Sequence, residues 1–341
     1  MTSKKISAMA DLLKRQNITN LRFAVQAAFA TFCLYCGYRF YLFYLWAMGS
    51  SEVYVARPPS VEAFLPISGL VSLKRLLLTG EYDQIHPAGL TIFIAALLIG
   101  ILFRKGFCGW ICPVGFTSNL AEKLALKMKT LWRAPIWLDI PLLSLKYLLL
   151  AFFAFLILLK MDLQAIEAFN RTPYNLVVDA KMLLFFIEPG NLTLWVMGFL
   201  IVISFFSRNF WCRYLCPYGA LLGILALFSP VRVKRDRELC IDCHKCEKVC
   251  PGSILVATKD SVNSAECQGC LECVAVCPVE DCLSVSTFGQ RKISPLLLPL
   301  GVISLFFILW AWAQISGHWQ SEIPVDVLKA YYKGSRFLAH P

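Results

Sequence analysis

Residues 240–278 read CIDCHKCEKVCPGSILVATKDSVNSAECQGCLECVAVCP and contain eight cysteines in two equal runs. Each run has the spacing C-x2-C-x2-C-x3-C-P, starting at Cys240 and at Cys267. This doubled spacing is typical of bacterial ferredoxins with two [4Fe–4S] clusters, in which the fourth cysteine of each run binds the other cluster. The pattern predicts one cluster bound by Cys240, Cys243, Cys246 and Cys277, and a second bound by Cys267, Cys270, Cys273 and Cys250.

Zinc is the alternative metal, since four cysteine thiolates also suit it. Zinc ribbons, however, use two C-x2-C pairs separated by a longer gap. They lack the doubled triplet with its fourth cysteine and proline. The spacing therefore favours iron–sulfur clusters, which carry single electrons, over structural zinc.

The rest of the chain has the composition of a membrane protein. Of its 341 residues, 58% are hydrophobic and 16% are charged, whereas soluble domains average about 25% charged residues. Stretches apolar enough to cross the ~30 Å hydrocarbon core lie at residues 21–40, 87–103, 140–159, 192–206 and 293–312. The sequence predicts an all-α polytopic membrane protein of about five transmembrane helices, with a small α+β two-cluster ferredoxin-like insert.

The distribution of charge indicates topology. The net charge of +11 is spread over loops at membrane boundaries, which argues against nucleic-acid binding. By the positive-inside rule, the short basic loop at residues 104–133 is expected to lie on the cytoplasmic side of the membrane. The apolar stretch at 217–228 is too short to span. We therefore expect a cytoplasmic segment at 1–20, a transmembrane region at 21–230, a cytoplasmic ferredoxin domain at 231–291, and a final helix with an outer tail at 292–341.

The transmembrane region contains an internal repeat. Residues 98–115 read LIGILFRKGFCGWICPVG and residues 200–219 read LIVISFFSRNFWCRYLCPYG. Each copy is an apolar helix, a basic turn and a C-x3-C-P motif, with cysteines at Cys108 and Cys112 or at Cys212 and Cys216. Because side chains four apart share a helix face, a duplication about a pseudo-two-fold axis would bring these four thiols together.

The chemistry of those four thiols stays open between several alternatives. They could bind a further iron–sulfur cluster, hold copper or zinc, or cycle between dithiol and disulfide. They could also pack as small apolar side chains. The flanking cations favour thiolates by their charge; these are Arg104, Lys105, Arg208 and Arg213.

Several polar side chains and one further cysteine could have either a functional role or an ordinary structural one. Lys146 is expected to extend towards the membrane surface. Asp139 and Asp179 could relay quinol protons, although helix capping is the simpler expectation. His86 could contact a quinone or a haem, and local hydrogen bonding is the simpler expectation. Cys282 is expected to be a packed thiol.

The paired motifs CGWICPVG and CRYLCPYGALLGI, followed by the eight-cysteine insert, resemble the NapH/NosR-type membrane-bound 4Fe-4S ferredoxin family. The stretches VARPPSVEAFLPISGL (55–70), WLDIPLLSLKYLLL (137–150) and WCRYLCPYGALLG (211–223) are most similar to its YccM-like electron transport proteins. The resemblance implies location in the bacterial inner membrane, [4Fe–4S] binding and respiratory electron flow, with quinol oxidation often proposed.

These observations predict an electron carrier that connects the membrane quinone pool with a partner redox protein, as a quinol-oxidising subunit of an oxidoreductase. Its cofactors would be two [4Fe–4S] clusters, with a further cluster or metal at the C-x3-C-P cysteines and quinone as an additional ligand. One alternative is a copper reductase that serves the maturation of a metalloenzyme. Another is a redox sensor, which would require an output domain that the sequence does not reveal.

Overall fold

The computed structural model describes residues 2–132, 134–287 and 291–338, with side chains from residue 17 onward. The polar side chains before residue 17 lie outside the described part. The α-helices in the described part are α1 (Thr2–Ala47), α2 (Pro66–Thr79), α3 (Pro87–Phe103), α4 (Pro113–Met128), α5 (Ile136–Ala154), α6 (Leu163–Asn170), α7 (Pro173–Leu176), α8 (Val178–Ile187), α9 (Asn191–Ser204), α10 (Pro217–Ala226), α11 (Lys245–Lys248), α12 (Glu272–Val276), α13 (Leu297–Ile315) and α14 (Val325–Gly334).

The β-strands all lie around the cysteine runs and form one small sheet. They are β1 (Arg232–Arg235), β2 (Ser261–Val262), β3 (Leu283–Ser286) and β4 (Lys292–Ile293), in the order β2-β1-β3-β4 with antiparallel neighbours. Val233 of β1 is opposite Val285 of β3, and both are buried. Because β4 completes the sheet, the last apolar helix begins at Leu297 rather than at the predicted residue 293.

Two helices in the described part are long and apolar enough to cross a membrane. They are Ile136–Lys160, which is α5 continued by the π-helix Phe155–Lys160, and α13. Both contain most of a predicted span. A third candidate is the pair α8 and α9, which are bent by 74° at residues 188–190. The structure is thus mostly helical with two to three candidate spans.

The other predicted spans are shorter or less apolar than these. The span expected at residues 192–206 corresponds to α9, whose 14 residues extend about 21 Å against a core of ~30 Å. The span at 87–103 is α3, with 17 residues. Residues 21–40 lie within the 46-residue α1. A total of five spans stays a prediction.

The chain forms two compact units. The first comprises Met1–Ala30, Ala96–Leu149 and Val202–Leu305, and the second comprises Thr31–Ala95, Leu150–Ile201 and Phe306–Pro341. The first unit contains the sheet, both cysteine runs and both C-x3-C-P motifs. The core of the second unit packs aromatic residues of α1, including Phe40, Phe43 and Tyr44, against Val177 and Tyr332.

Candidate functional site

The two cysteine runs have matching backbone conformations. Asp242 and Gly269, each two residues after the first cysteine of its run, have φ of 48° and 61°. His244 and Leu271, each following the second cysteine, have φ of 53° and 64°. Left-handed backbone is uncommon for residues other than glycine, and such strain concentrates at ligand-binding positions. Each run therefore makes the same tight loop and then enters a short helix, α11 or α12.

One set of thiols lines a small cavity beside α11. Its lining includes Cys240, Cys243 and Cys246 of the first run and Cys277 of the second, with apolar side chains such as Ile241 and Leu283 between them. Four thiols around an apolar hollow are a donor set that fits a [4Fe–4S] cluster. The structure thus brings together the four cysteines predicted for the first cluster.

Cys282 lines the same cavity, which sequence reasoning missed. Its thiol is buried, donates to Asp236 O at 3.7 Å and lies beside the thiols of Cys240 and Cys277. Burial raises the pKa of Cys282 to about 12, and the two neighbouring thiols add to the effect. Cys282 lies outside the C-x2-C-x2-C-x3-C-P spacing, so the cysteine pattern gave no signal for it. The structure makes it a fifth thiol beside the first set.

The second set of thiols is buried more deeply. The thiol of Cys273 interacts electrostatically with those of Cys270, Cys250 and Cys267, and burial raises its pKa well above the usual value. Burial also raises the pKa of Cys270 to about 12 and that of Cys250 to about 11. The backbone N–H of Ile254 donates to Cys250 Sγ at 3.4 Å. A buried thiolate set with N–H donors is suited to a metal cluster, because bound metal replaces the lost hydration.

The two C-x3-C-P motifs also share one local structure. Each contains a π-helix, Phe107–Ile111 or Trp211–Leu215. The N–H of Cys112 donates to Phe107 O and that of Cys216 to Trp211 O, both at 2.9 Å. The second cysteine is then the N-cap of α4 or α10, with proline at the first helical position, where its missing N–H costs nothing. The first cysteine of each motif thus lies in a π-helical turn and not in the α-helix that the sequence predicts.

The four motif thiols are nonetheless neighbours. Cys108 interacts electrostatically with Cys112, Cys216 and Cys212. Burial raises the pKa of each thiol, in the case of Cys212 to about 12. Lys105 opposes this shift at Cys108, Cys212 and Cys216, and the N–H of Gly219 donates to Cys216 Sγ at 3.2 Å. Among residues 2–132, 134–287 and 291–338, no three His, Cys, Asp or Glu side chains are arranged to hold a single metal ion.

Lys105 is the flanking cation that acts on the motif thiols, whereas the other three hold the insert. Arg104 donates to Asn263 and to Ser264 O, and Arg208 to Cys250 O. Arg213 donates to Gly252 O and pairs with Asp139 at 2.7 Å. The expectation that all four cations serve the thiols is therefore corrected, because these three guanidinium groups satisfy backbone carbonyls of the ferredoxin-like insert.

Lys146 is also a contact to the insert. It is fully buried and bonds to Glu266, and Lys105 lies 3.9 Å from the same carboxylate. Burial alone would raise the pKa of Glu266, but Lys105 and Lys146 lower it below its usual value. The expectation that Lys146 extends to the membrane surface was wrong. In this buried position the carboxylate of Glu266 compensates the charge of the Lys146 ammonium group, which water cannot solvate.

The first C-x3-C-P motif touches the second cysteine run directly. A Cβ on Gly109 would lie 2.5 Å from the carbonyl oxygen of Gln268, so only glycine fits between Cys108 and Cys112 at this position. The indole N–H of Trp110 donates to Gly269 O at 3.1 Å. Gln268 and Gly269 are the two residues between Cys267 and Cys270. The two thiol sets are therefore connected by packed backbone.

The second unit contains a separate buried ion network. Arg57 lies 2.6 Å from Asp179 and 2.9 Å from Glu62, and Tyr332 donates to Asp179 at 2.7 Å. His86 lies 3.4 Å from Glu62 and bonds to Asn175 O. Burial opposes a charged His86, but Glu62 outweighs it and raises the pKa of His86. Asp179 and His86 are thus members of an ion network rather than local capping residues.

Comparison with known proteins agrees with this site. A family model described as a 4Fe-4S binding domain matches residues 85–134 and again residues 190–235, and a 4Fe-4S dicluster domain model matches residues 232–278. YccM of Escherichia coli (strain K12), named for electron transport, is 42% identical over 301 residues, which are 85% of this chain and 83% of YccM.

More distant relatives are similar over the same region. The uncharacterized protein MJ0749 of Methanocaldococcus jannaschii is 32% identical over 67% of this chain and 80% of its own length. The ferredoxin-type protein NapH of Haemophilus influenzae is 30% identical over 56% of this chain and 67% of NapH. No solved structure matches the chain.

Proposed function

This chain belongs to the family of membrane ferredoxin-type electron transport proteins that includes YccM and NapH, and we propose that it carries electrons between the quinone pool and a partner redox protein in a respiratory chain. The observation that carries the proposal is the contact between the first C-x3-C-P motif and the Cys267–Cys270 loop. It joins two buried thiol sets within one unit.

The proposed cofactors are two [4Fe–4S] clusters in the insert. Cys240, Cys243, Cys246 and Cys277 would hold one, and Cys267, Cys270, Cys273 and Cys250 the other. When bound, such clusters supply reversible one-electron chemistry. The chain's own residues position them, exclude water and set the charge around them through Lys105, Arg208 and backbone N–H donors.

The third proposed site consists of Cys108, Cys112, Cys212 and Cys216, as a further cluster, a metal site or a dithiol pair. The two matches of one family model to residues 85–134 and 190–235 support an internal duplication that places these thiols in equivalent positions. We retain the domain boundaries of 1–20, 21–230, 231–291 and 292–341 as part of the proposal.

We also propose that the protein lies in the bacterial inner membrane with its insert in the cytoplasm. The basic loop at residues 104–133 supports this orientation. Alkaline phosphatase fused after Thr287 should be inactive, and the same enzyme fused after Leu338 should be active. An active fusion after Thr287 would place the insert on the outer side.

Electron transfer from quinol tests the function directly. Protein reconstituted anaerobically in lipid nanodiscs should lose visible absorbance when decylubiquinol is added, because reduction of the clusters bleaches their charge-transfer bands. Oxidised decylubiquinone is the control and should cause no bleaching.

The copper reductase alternative is favoured by one feature, the neighbouring soft thiols of the C-x3-C-P motifs. It predicts tight Cu(I) binding that Cys112→Ser and Cys216→Ser abolish, with no bleaching by quinol. Bleaching by quinol without stoichiometric Cu(I) binding would exclude that alternative.

A further inference from the structure

A second cleft lies in the first unit between α1, α4 and α12. Its polar lining includes Arg22, Asn119, Lys123 and Glu272. None of these residues is a proposed cluster ligand. The cleft lies at the end of the apolar stretch predicted at residues 21–40, so a membrane-soluble molecule could reach it from the bilayer.

Arg22 provides an unused donor in this cleft. The residue is 6% exposed; its Nε donates to Gly109 O at 3.1 Å and its Nη1 to Glu272 at 2.9 Å. In the described part of the chain, Arg22 Nη2 has no hydrogen-bond partner although it is buried. A buried donor without a partner is costly, and a ligand oxygen in the cleft would satisfy it.

Two aromatic rings provide an apolar wall. Phe23 and Phe116 have ring centroids 5.6 Å apart, and Lys123 Nζ lies 4.7 Å from the centroid of Phe23. The two rings are tilted by 57° to each other, so one ring at a time can stack on a flat, conjugated head group. Ligand sites of this kind combine apolar walls with a few placed polar groups.

The cleft is bonded to both thiol systems. Arg22 and Gln26 both donate to the carbonyl oxygen of Gly109, which lies between Cys108 and Cys112. Glu272, which also accepts from Thr19 at 3.0 Å, lies between Cys270 and Cys273. A redox-active molecule in the cleft would therefore be separated by a single side chain from the backbone of the first C-x3-C-P motif and from that of the second cysteine run.

We propose that this cleft binds the head group of a quinone or quinol, an inference that rests on the proposed function and locates its substrate. A quinone carbonyl would accept from Arg22 Nη2, and a quinol hydroxyl would donate to Glu272. A lipid phosphate fits less well, because Glu272 would repel it and already occupies Arg22 Nη1. Oxidation of the quinol would break two O–H bonds and release two protons to water, and its two electrons would pass one at a time to bound [4Fe–4S] clusters.

Photolabelling tests the position of the site without relying on turnover. The protein in phosphatidylcholine nanodiscs would be irradiated with an azido-ubiquinone, and labelled peptides identified by mass spectrometry. We expect labels within residues 17–30 and 113–128, removed by excess decylubiquinone. Phe23→Ala and Lys123→Gln should weaken decylubiquinone binding by about tenfold.

Matched controls separate the outcomes. Phe32→Ala on the same helix and Lys127→Gln on α4 alter similarly exposed side chains outside the cleft and should leave binding unchanged. Labels elsewhere in the chain that excess decylubiquinone removes, found while quinol still bleaches the clusters, would show that the quinone binds outside the cleft. The proposed function would then still stand. Absence of any label that decylubiquinone removes would overturn the cleft, and absence of bleaching by quinol as well would overturn both. Competition by phosphatidylglycerol instead of decylubiquinone would identify a lipid site and overturn the proposal.

Discussion

Cys250→Ser is expected to remove the cluster of the second set, Cys267, Cys270 and Cys273, while the cluster of Cys240, Cys243 and Cys246 persists. Cys250 belongs to the first run, but its thiol interacts electrostatically with Cys267. Replacing a buried thiolate ligand with serine removes a metal bond that cluster stability requires. The change would appear in EPR spectra of the reduced protein as the selective loss of one cluster signal.

Cys277→Ser is the reciprocal change, and the structure predicts a different outcome for it. Cys282 lies beside Cys277 in the same cavity, so it can replace the missing ligand. The first cluster should survive with an altered EPR spectrum, and only Cys277→Ser combined with Cys282→Ser should abolish it. Cys282→Ser alone is the control and should keep both signals. If Cys250→Ser instead eliminated the signal of its own run, the crossed ligand assignment would be wrong.

Cys112→Ser and Cys216→Ser are expected to reduce quinol-driven bleaching at least about a hundredfold, while both EPR signals of the insert remain. Each cysteine is the N-cap of a helix and a member of the four neighbouring thiols. Changes to residues that only hydrogen-bond to a metal ligand typically cost about 10–100-fold in metal affinity or activity, and loss of a ligand thiol should cost at least as much. The measurement is the bleaching rate with decylubiquinol, beside dithionite-reduced EPR spectra.

The matched control is Cys36→Ser on α1, a buried cysteine outside the four. It should leave the bleaching rate within about twofold, because a packed thiol carries no electron. Rates in Cys112→Ser and Cys216→Ser equal to that of the control would show that the C-x3-C-P thiols are not on the electron route.

Local spacing made much of the site predictable. The positions of Cys240 to Cys277 constrain the chain to two equal loops, because three cysteines two residues apart can surround one centre only through tight backbone turns. The prolines after Cys112 and Cys216 similarly begin α4 and α10. Membership of the YccM-like family is confirmed by the relatives that match the chain.

Features that depend on tertiary contacts could not be read from the sequence. Lys146 lies in an apolar stretch, and no residue near it in sequence indicates that it contacts Glu266, which is 120 residues away. Cys282 enters the first cavity because β3 brings it there, not because of its spacing. The π-turns of the C-x3-C-P motifs arise from one extra residue per turn, which hydrophobic periodicity over so few residues does not distinguish from an α-helix.

Metal content distinguishes an insert that holds two [4Fe–4S] clusters from one that holds zinc. Iron, acid-labile sulfide and zinc would be measured in anaerobically purified protein carrying Cys112→Ser and Cys216→Ser, so that the count refers to the insert alone. We expect about eight irons and about eight sulfides per chain, with an EPR spectrum of two reduced clusters. Stoichiometric zinc with no labile sulfide would contradict it.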